Sequence, residues 1–117
     1  VGLYVSILNQ CAYCIDHHNH AGGLAYAGKP EAWSAIADAL MGDRLEEVFD
    51  GKELALLGYV RALTLAPAAL PAESIDTLRA AGASDGEILE VNQVTGYFAY
   101  ANRVVLGLGV TLDGETR

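Results

Sequence analysis

Both cysteines and all three histidines of the 117-residue chain lie within ten consecutive residues. Successive residues of a helix are rotated by about 100°, so Cys11, Cys14 and His18 would share a stripe about 60° wide. His17 is also within one turn of Cys14, whereas His20 would point to the opposite side. The pattern C-x-x-C-x-x-x-H on one helical face indicates thiol chemistry assisted by an imidazole.

This spacing suits redox chemistry because a cysteine attacks as the thiolate, and an ordinary thiol with a pKa of about 8.5 is mostly protonated at neutral pH. A second thiol, an imidazole or the positive end of a helix would each lower that pKa. Asn9 could cap a helix that begins near Cys11, although Val1–Leu8 could also continue into the same helix. Peroxide oxidation of one thiol to a sulfenic acid would let the pair close a reversible disulfide.

Two other interpretations of these residues stay open. Free cysteines are often buried and inert, so the pair could simply pack in a core. Alternatively, the two cysteines, His18 and either of the other histidines could supply four zinc ligands. Structural zinc sites usually draw ligand pairs from two separated segments, and no Cys or His follows His20. We therefore favour a redox pair without a bound metal or cofactor.

Length and composition limit the number of domains, the oligomeric state, the partners and the compartment that we expect. The length predicts one all-helical domain over residues 1–117, and an apolar pattern already present at Val1 predicts a preceding segment in the full protein. With 52% hydrophobic residues, a monomer would expose much apolar surface, so an oligomer is expected. The net charge of −8 argues against nucleic acid and anionic membranes as partners. Two cysteines in redox spacing, with no others, favour the reducing cytoplasm.

Apolar periodicity predicts helices throughout and no convincing strand pair, and no stretch is suited to spanning a membrane. Val1–Leu8 fits a helix, although its β-branched residues also allow a buried strand. The motif helix should run to about Ala27. Pro30 should then start a helix that reaches Met41, with its apolar stripe at Trp33, Ile36, Ala37 and Leu40.

Three more helices are expected in the second half of the chain. One runs from Gly51 to about Leu65, and a short one ends near Ala81. A capping box in residues 84–87 opens the longest helix, to about Leu106, and Leu108 onward is a tail. Polar residues interrupt the apolar stripe of this helix, so Asn102-Arg103 is either a structural pair or part of a site.

Three segments resemble the alkylhydroperoxidase D-like superfamily, which is also named for carboxymuconolactone decarboxylase. Residues 5–18 are similar to its "VS-x-x-N-x-C-x-Y-C-x-x-x-H" core. Residues 78–89 add weaker similarity, as does Asn102-Arg103 followed by residues 106–110. The paired cysteines resemble the peroxidase-related branch, because decarboxylase members generally lack them.

The resemblance implies an all-helical fold assembled as a homo-oligomer, often a trimer or a hexamer. It also implies that Cys14 is oxidised to the sulfenic acid, that Cys11 resolves it as a disulfide and that His18 relays a proton. The relay of the family usually includes a Glu, which would fall upstream of Val1 here. One subgroup carries a histidine where this chain has Tyr13.

The sequence therefore predicts a thiol-dependent peroxidase-like oxidoreductase with Cys14, Cys11 and His18 as its catalytic groups. Its substrate would be an organic hydroperoxide, and its reductant would be a dithiol protein or a lipoyl group. A disulfide reductase or redox sensor with little peroxidase activity is one alternative. A non-catalytic helical oligomer with a metal-binding or structural Cys/His cluster is another.

Overall fold

The structure is a computed structural model that describes residues 1–113, and this part of the chain contains helices and no β-strand. The predicted all-α class, with the C-x-x-C motif on a helix, is therefore confirmed. Residues 114–117 of the predicted tail lie outside the described residues. The helices are α1 (Gly2–Leu8), α2 (Ala12–Ala25), α3 (Pro30–Met41), α4 (Gly51–Leu65), α5 (Ser74–Ala80) and α6 (Asp85–Leu108).

Helix α1 is the centre of the fold, because α2, α3, α4 and α6 all pack against it. Its residues 2–6 are buried, and Tyr4 and Val5 are fully enclosed. A seven-residue helix is not stable alone in water, so α1 depends on this packing. Gly2 allows α2 to approach closely, because a Cβ at this position would lie 2.7 Å from Cε1 of His18.

The boundary between α1 and α2 differs from the prediction. Asn9 caps the C-terminus of α1 instead of the N-terminus of α2, and Gln10 adopts a left-handed conformation with φ of 56°. The chain therefore turns, and Cys11 becomes the N-cap of α2 in an extended conformation. Cys11 consequently does not lie on the helical stripe of Cys14 and His18. The continuous helix that the apolar pattern also allowed is excluded.

The other predicted boundaries agree closely with the structure. The bounds of α3 and α4 are those predicted, whereas α2 ends two residues before Ala27 and α6 ends two residues after Leu106. The Oγ of Ser84 accepts a hydrogen bond from the backbone N–H of Glu87, as a capping box requires. The Glu87 carboxylate pairs with Lys52 across to α4, with a nitrogen–oxygen distance of 3.1 Å.

Two clusters of buried apolar side chains hold the helices together. The larger one surrounds α1 and is formed by Leu3, Tyr4, Val5, Leu40, Leu45, Leu57 and Val60. The smaller one joins α4, α5 and α6 through Tyr59, Leu78, Ala83 and Ile88. Within the described part of the chain, no helix combines enough length and apolar character to cross a bilayer.

Candidate redox-active site

Cys11 and Cys14 form a disulfide at the start of α2. Their Cα atoms are 5.2 Å apart, which lies within the range that a disulfide spans. The Cys11 side chain is fully buried, and that of Cys14 is 6% exposed. Of the two residues, Cys14 is therefore the more accessible to a molecule arriving from solvent.

The N-terminus of α2 lies at the cysteine pair, which the sequence alone could not decide. Cys11 is the N-cap of α2 and Cys14 is the third residue of its first turn. The first N–H groups of a helix have no partner within it and carry the positive end of its dipole. Both sulfurs lie at this end, so a thiolate formed on reduction is stabilised there.

His18 lies one helical turn after Cys14. Its ring contacts Phe98 of α6 edge-to-face, with the ring centroids 4.6 Å apart. Burial lowers the pKa of His18, and the charge of His17 acts in the same direction. The imidazole is therefore mostly neutral at neutral pH and can accept a proton.

The remaining histidines have other surroundings. His17 is exposed and stacks on Tyr13, with ring centroids 6.4 Å apart, and His20 is also exposed. Within residues 1–113, no three His, Cys, Asp or Glu side chains are placed to hold a metal ion. Both sulfurs are joined in the disulfide, and the four-ligand set considered for zinc is not assembled.

A buried polar network fixes the turn that carries Cys11. Asn102 of α6 donates a hydrogen bond to Ser6 Oγ at 3.1 Å and accepts one from Nδ2 of Asn9 at 3.0 Å. Ser6 Oγ in turn donates to the Gly2 carbonyl, and the Ser6 carbonyl accepts from the Cys11 N–H. Asn102 thus ties α6 to the C-terminal end of α1, and it is structural. The sequence indicated Asn102 as a polar residue within an apolar stripe, but it gave no role to Ser6.

A cavity of about 710 Å³ lies beside His18, between α2, α3 and α4. Its walls are largely apolar and include three aromatic side chains, Tyr26, Trp33 and Phe49. Trp33 lies over Gly22, where a Cβ would clash with the indole at 2.0 Å. The sequence did not reveal this cavity, because its lining residues are spread from Val1 to Val91 with no shared motif.

Comparison with protein-family models and with curated proteins gives no match for this chain. The fold, however, is shared with a solved structure, an uncharacterized peroxidase-related protein from Silicibacter sp. TM1040. The two superpose with a TM-score of 0.77 at 25% sequence identity over 99% of this chain. The chain corresponds to 56% of the length of that protein. A helical fold shared with a peroxidase-related protein and a C-x-x-C disulfide are together compatible with a redox function.

Proposed function

We propose that this chain is an alkylhydroperoxidase D-like oxidoreductase that reduces organic hydroperoxides with Cys14, Cys11 and His18. The observation that carries the proposal is the Cys11–Cys14 disulfide at the N-terminus of α2, with a neutral imidazole one turn later. It combines a two-electron couple, a site that stabilises a thiolate and a group able to move a proton.

The reaction begins with the reduced pair. The Cys14 thiolate attacks the terminal oxygen of ROOH, the O–O bond breaks, and Cys14 becomes a sulfenic acid while the alkoxide takes a proton to leave as ROH. The Cys11 thiol then attacks the Cys14 sulfur, which forms the disulfide and releases water. His18 takes the proton of the Cys14 thiol and returns it to the alkoxide, help that is worth about 10²–10⁴-fold in well-placed sites.

The surroundings of the two cysteines support the proposed roles, with Cys14 attacking first and Cys11 resolving. Cys14 is the more exposed of the two and lies within the first turn of α2, where its thiolate is stabilised. Cys11 is enclosed, so its contact with an external oxidant is restricted, but it is within bonding distance of Cys14. An external dithiol, either of a protein or of a lipoyl group, would reopen the disulfide in a reducing compartment such as the cytoplasm.

The proposal includes self-association, to a trimer or a hexamer. Its support is the outer apolar face of α6, a row of exposed apolar side chains spaced along the helix: Leu89, Tyr97, Tyr100, Val104 and Leu108. These side chains offer roughly 500 Å² per copy, so two copies would bury about 1,000 Å², the lower bound for a specific interface. We expect a second copy of the chain on this face.

The test is single-turnover oxidation of fully reduced wild-type protein, C14S and C11S with cumene hydroperoxide. We expect one cumyl alcohol per wild-type chain and the loss of two thiols. C14S should form no alcohol, whereas C11S should form one and retain a sulfenic acid that dimedone traps. Alcohol formation by C14S would overturn the assignment. If both wild-type thiols stay free and no alcohol forms with cumene hydroperoxide, although a disulfide such as oxidised glutathione oxidises the pair, the result would instead favour a disulfide reductase or redox sensor.

A further inference from the structure

We propose that the cavity beside His18 binds the organic part of uncharged hydroperoxides and that Glu53 selects against those that carry a carboxylate. This inference rests on the proposed function and names the class of substrate that the same site takes. His18 belongs both to the wall of the cavity and to the helix that carries Cys14. Neither cysteine is among the lining residues, so His18 is the residue that links the cavity to the helix of the reactive thiol.

The size and walls of the cavity suit an apolar group. Its volume of about 710 Å³ lies within the range typical of small-molecule sites, which is about 300–1,000 Å³. Aliphatic side chains from α3 and α4 line it beside the aromatic ones, among them Ile36, Leu40, Leu56 and Val60. Burying an alkyl or aryl group against them removes apolar surface from water, which favours binding before the costs of association.

The charge of the lining decides between neutral and anionic ligands. Among the described residues that form the cavity, Glu53 is the only acidic side chain, and none is a lysine or an arginine. Glu53 lies in the first turn of α4 and is exposed, so it stays accessible at the edge of the cavity. A bound carboxylate would face the like charge of Glu53 without a cationic side chain to pair with.

Trp33 provides a direct measure of occupancy, because it is the single tryptophan of the chain and lines the cavity. Its fluorescence should be quenched by a bromine atom on a bound alkyl chain. We would titrate the wild-type protein at pH 7.5 with 10-bromodecan-1-ol and, separately, with 10-bromodecanoate. The alcohol should quench saturably, and half-quenching by the carboxylate should need about tenfold more ligand.

E53Q identifies the source of this discrimination. In E53Q the two half-quenching concentrations should differ by no more than about twofold to threefold. The matched control is E46Q, which makes the same change of net charge at an exposed glutamate outside the cavity, and it should keep the tenfold preference. Absence of saturable quenching by the alcohol, equal wild-type binding of both ligands, or an unchanged preference in E53Q would each overturn the proposal.

The binding measurement is independent of peroxidase activity, because neither brominated ligand contains an O–O bond. Cavity binding combined with alcohol formation by C14S would mean that the assigned reaction is wrong, although the selectivity of the site stands. Loss of activity in C14S without cavity binding would overturn only the cavity proposal. The two failures are therefore distinguishable.

Discussion

The two faces of α6 both depart from the usual pattern of a surface helix. Its inner face packs apolar side chains such as Ile88 and Phe98 into the core, but it also holds Thr95 and Asn102 in almost complete burial. Its outer face leaves Tyr97 and Tyr100 63% and 66% exposed. A helix on the surface of a monomer normally buries its apolar stripe and exposes polar residues. The buried polar residues therefore depend on hydrogen bonds within the fold, and the exposed apolar residues are the basis of the proposed self-association.

The burial of Asn102 on the inner face is explained by its contacts near the redox site. The amide of Asn102 satisfies side chains before and after the tip of α1, and the turn that follows places Cys11 at the start of α2. Buried polar groups that are satisfied in this way fix one geometry, because any displacement leaves a donor or acceptor without a partner. The outer face makes no comparable contacts within the described part of one copy. The contrast suggests that α6 orders the site with one side and joins copies with the other.

The largest effect should follow the loss of the inner network. Asn102→Ala removes two hydrogen bonds from a fully buried position, so that Ser6 Oγ loses a donor and the partly buried Asn9 amide loses its acceptor. We expect the free energy of unfolding to fall by about 2–3 kcal/mol in urea titrations. Gln93→Ala, on the exposed side of the same helix, is the control and should change it by less than about 0.5 kcal/mol. Equal stability of the two variants would mean that the network does not hold α1 against α6.

Changes on the outer face should affect assembly more than folding. Replacing both Tyr97 and Tyr100 with Ser removes the largest exposed side chains, so self-association should weaken by about tenfold or more in sedimentation equilibrium. The free energy of unfolding, extrapolated to the dissociated chain, should change by less than about 1 kcal/mol. Leu65→Ser on α4, also an exposed apolar residue, should leave association unchanged. A double variant that associates like the wild type would remove the outer face as the interface.

The smallest expected effect is an increase in the free energy of unfolding. Among residues 1–113, the buried hydroxyl of Thr95 has no hydrogen-bond partner, whereas that of Thr64, another buried helical threonine, donates to the Val60 carbonyl at 2.7 Å. Thr95→Val should therefore stabilise the fold by about 1 kcal/mol, because it removes an unsatisfied polar group at nearly constant volume. Thr64→Val should be neutral or destabilising. Thermal denaturation of both variants checks the sign, and destabilisation by Thr95→Val would contradict the expectation.

The parts of the fold that local chemistry determines were predictable from the sequence. Pro30 at the first position of α3 and the Ser84 cap of α6 gave boundaries that the structure confirms. The C-x-x-C spacing indicated a disulfide, and the structure contains it. The roles of Cys14, Cys11 and His18 in a reaction stay predictions.

The parts that depend on distant contacts were not predictable. Asn9 has a residue type that often caps the start of a helix, and only its contact with Asn102, 93 positions away, shows why it lies at the end of α1. Gln10 adopts a left-handed conformation that glycine usually occupies, so its residue type did not indicate the turn. The cavity likewise forms between several helices that are distant in sequence, so no periodicity within one helix could reveal it.

The distance along the chain between Ser6 and Asn102 has a consequence for the order of events during synthesis. Their contact joins residues 96 positions apart, so α1 is fully enclosed only after α6 has been made. The two cysteines are three positions apart and need no distant segment to meet. Local contacts form much sooner than those that close long loops. The dithiol can therefore be oxidised on a nascent chain whose redox site is still unsupported, and a reducing environment during translation would keep the thiols free until the helices around them assemble.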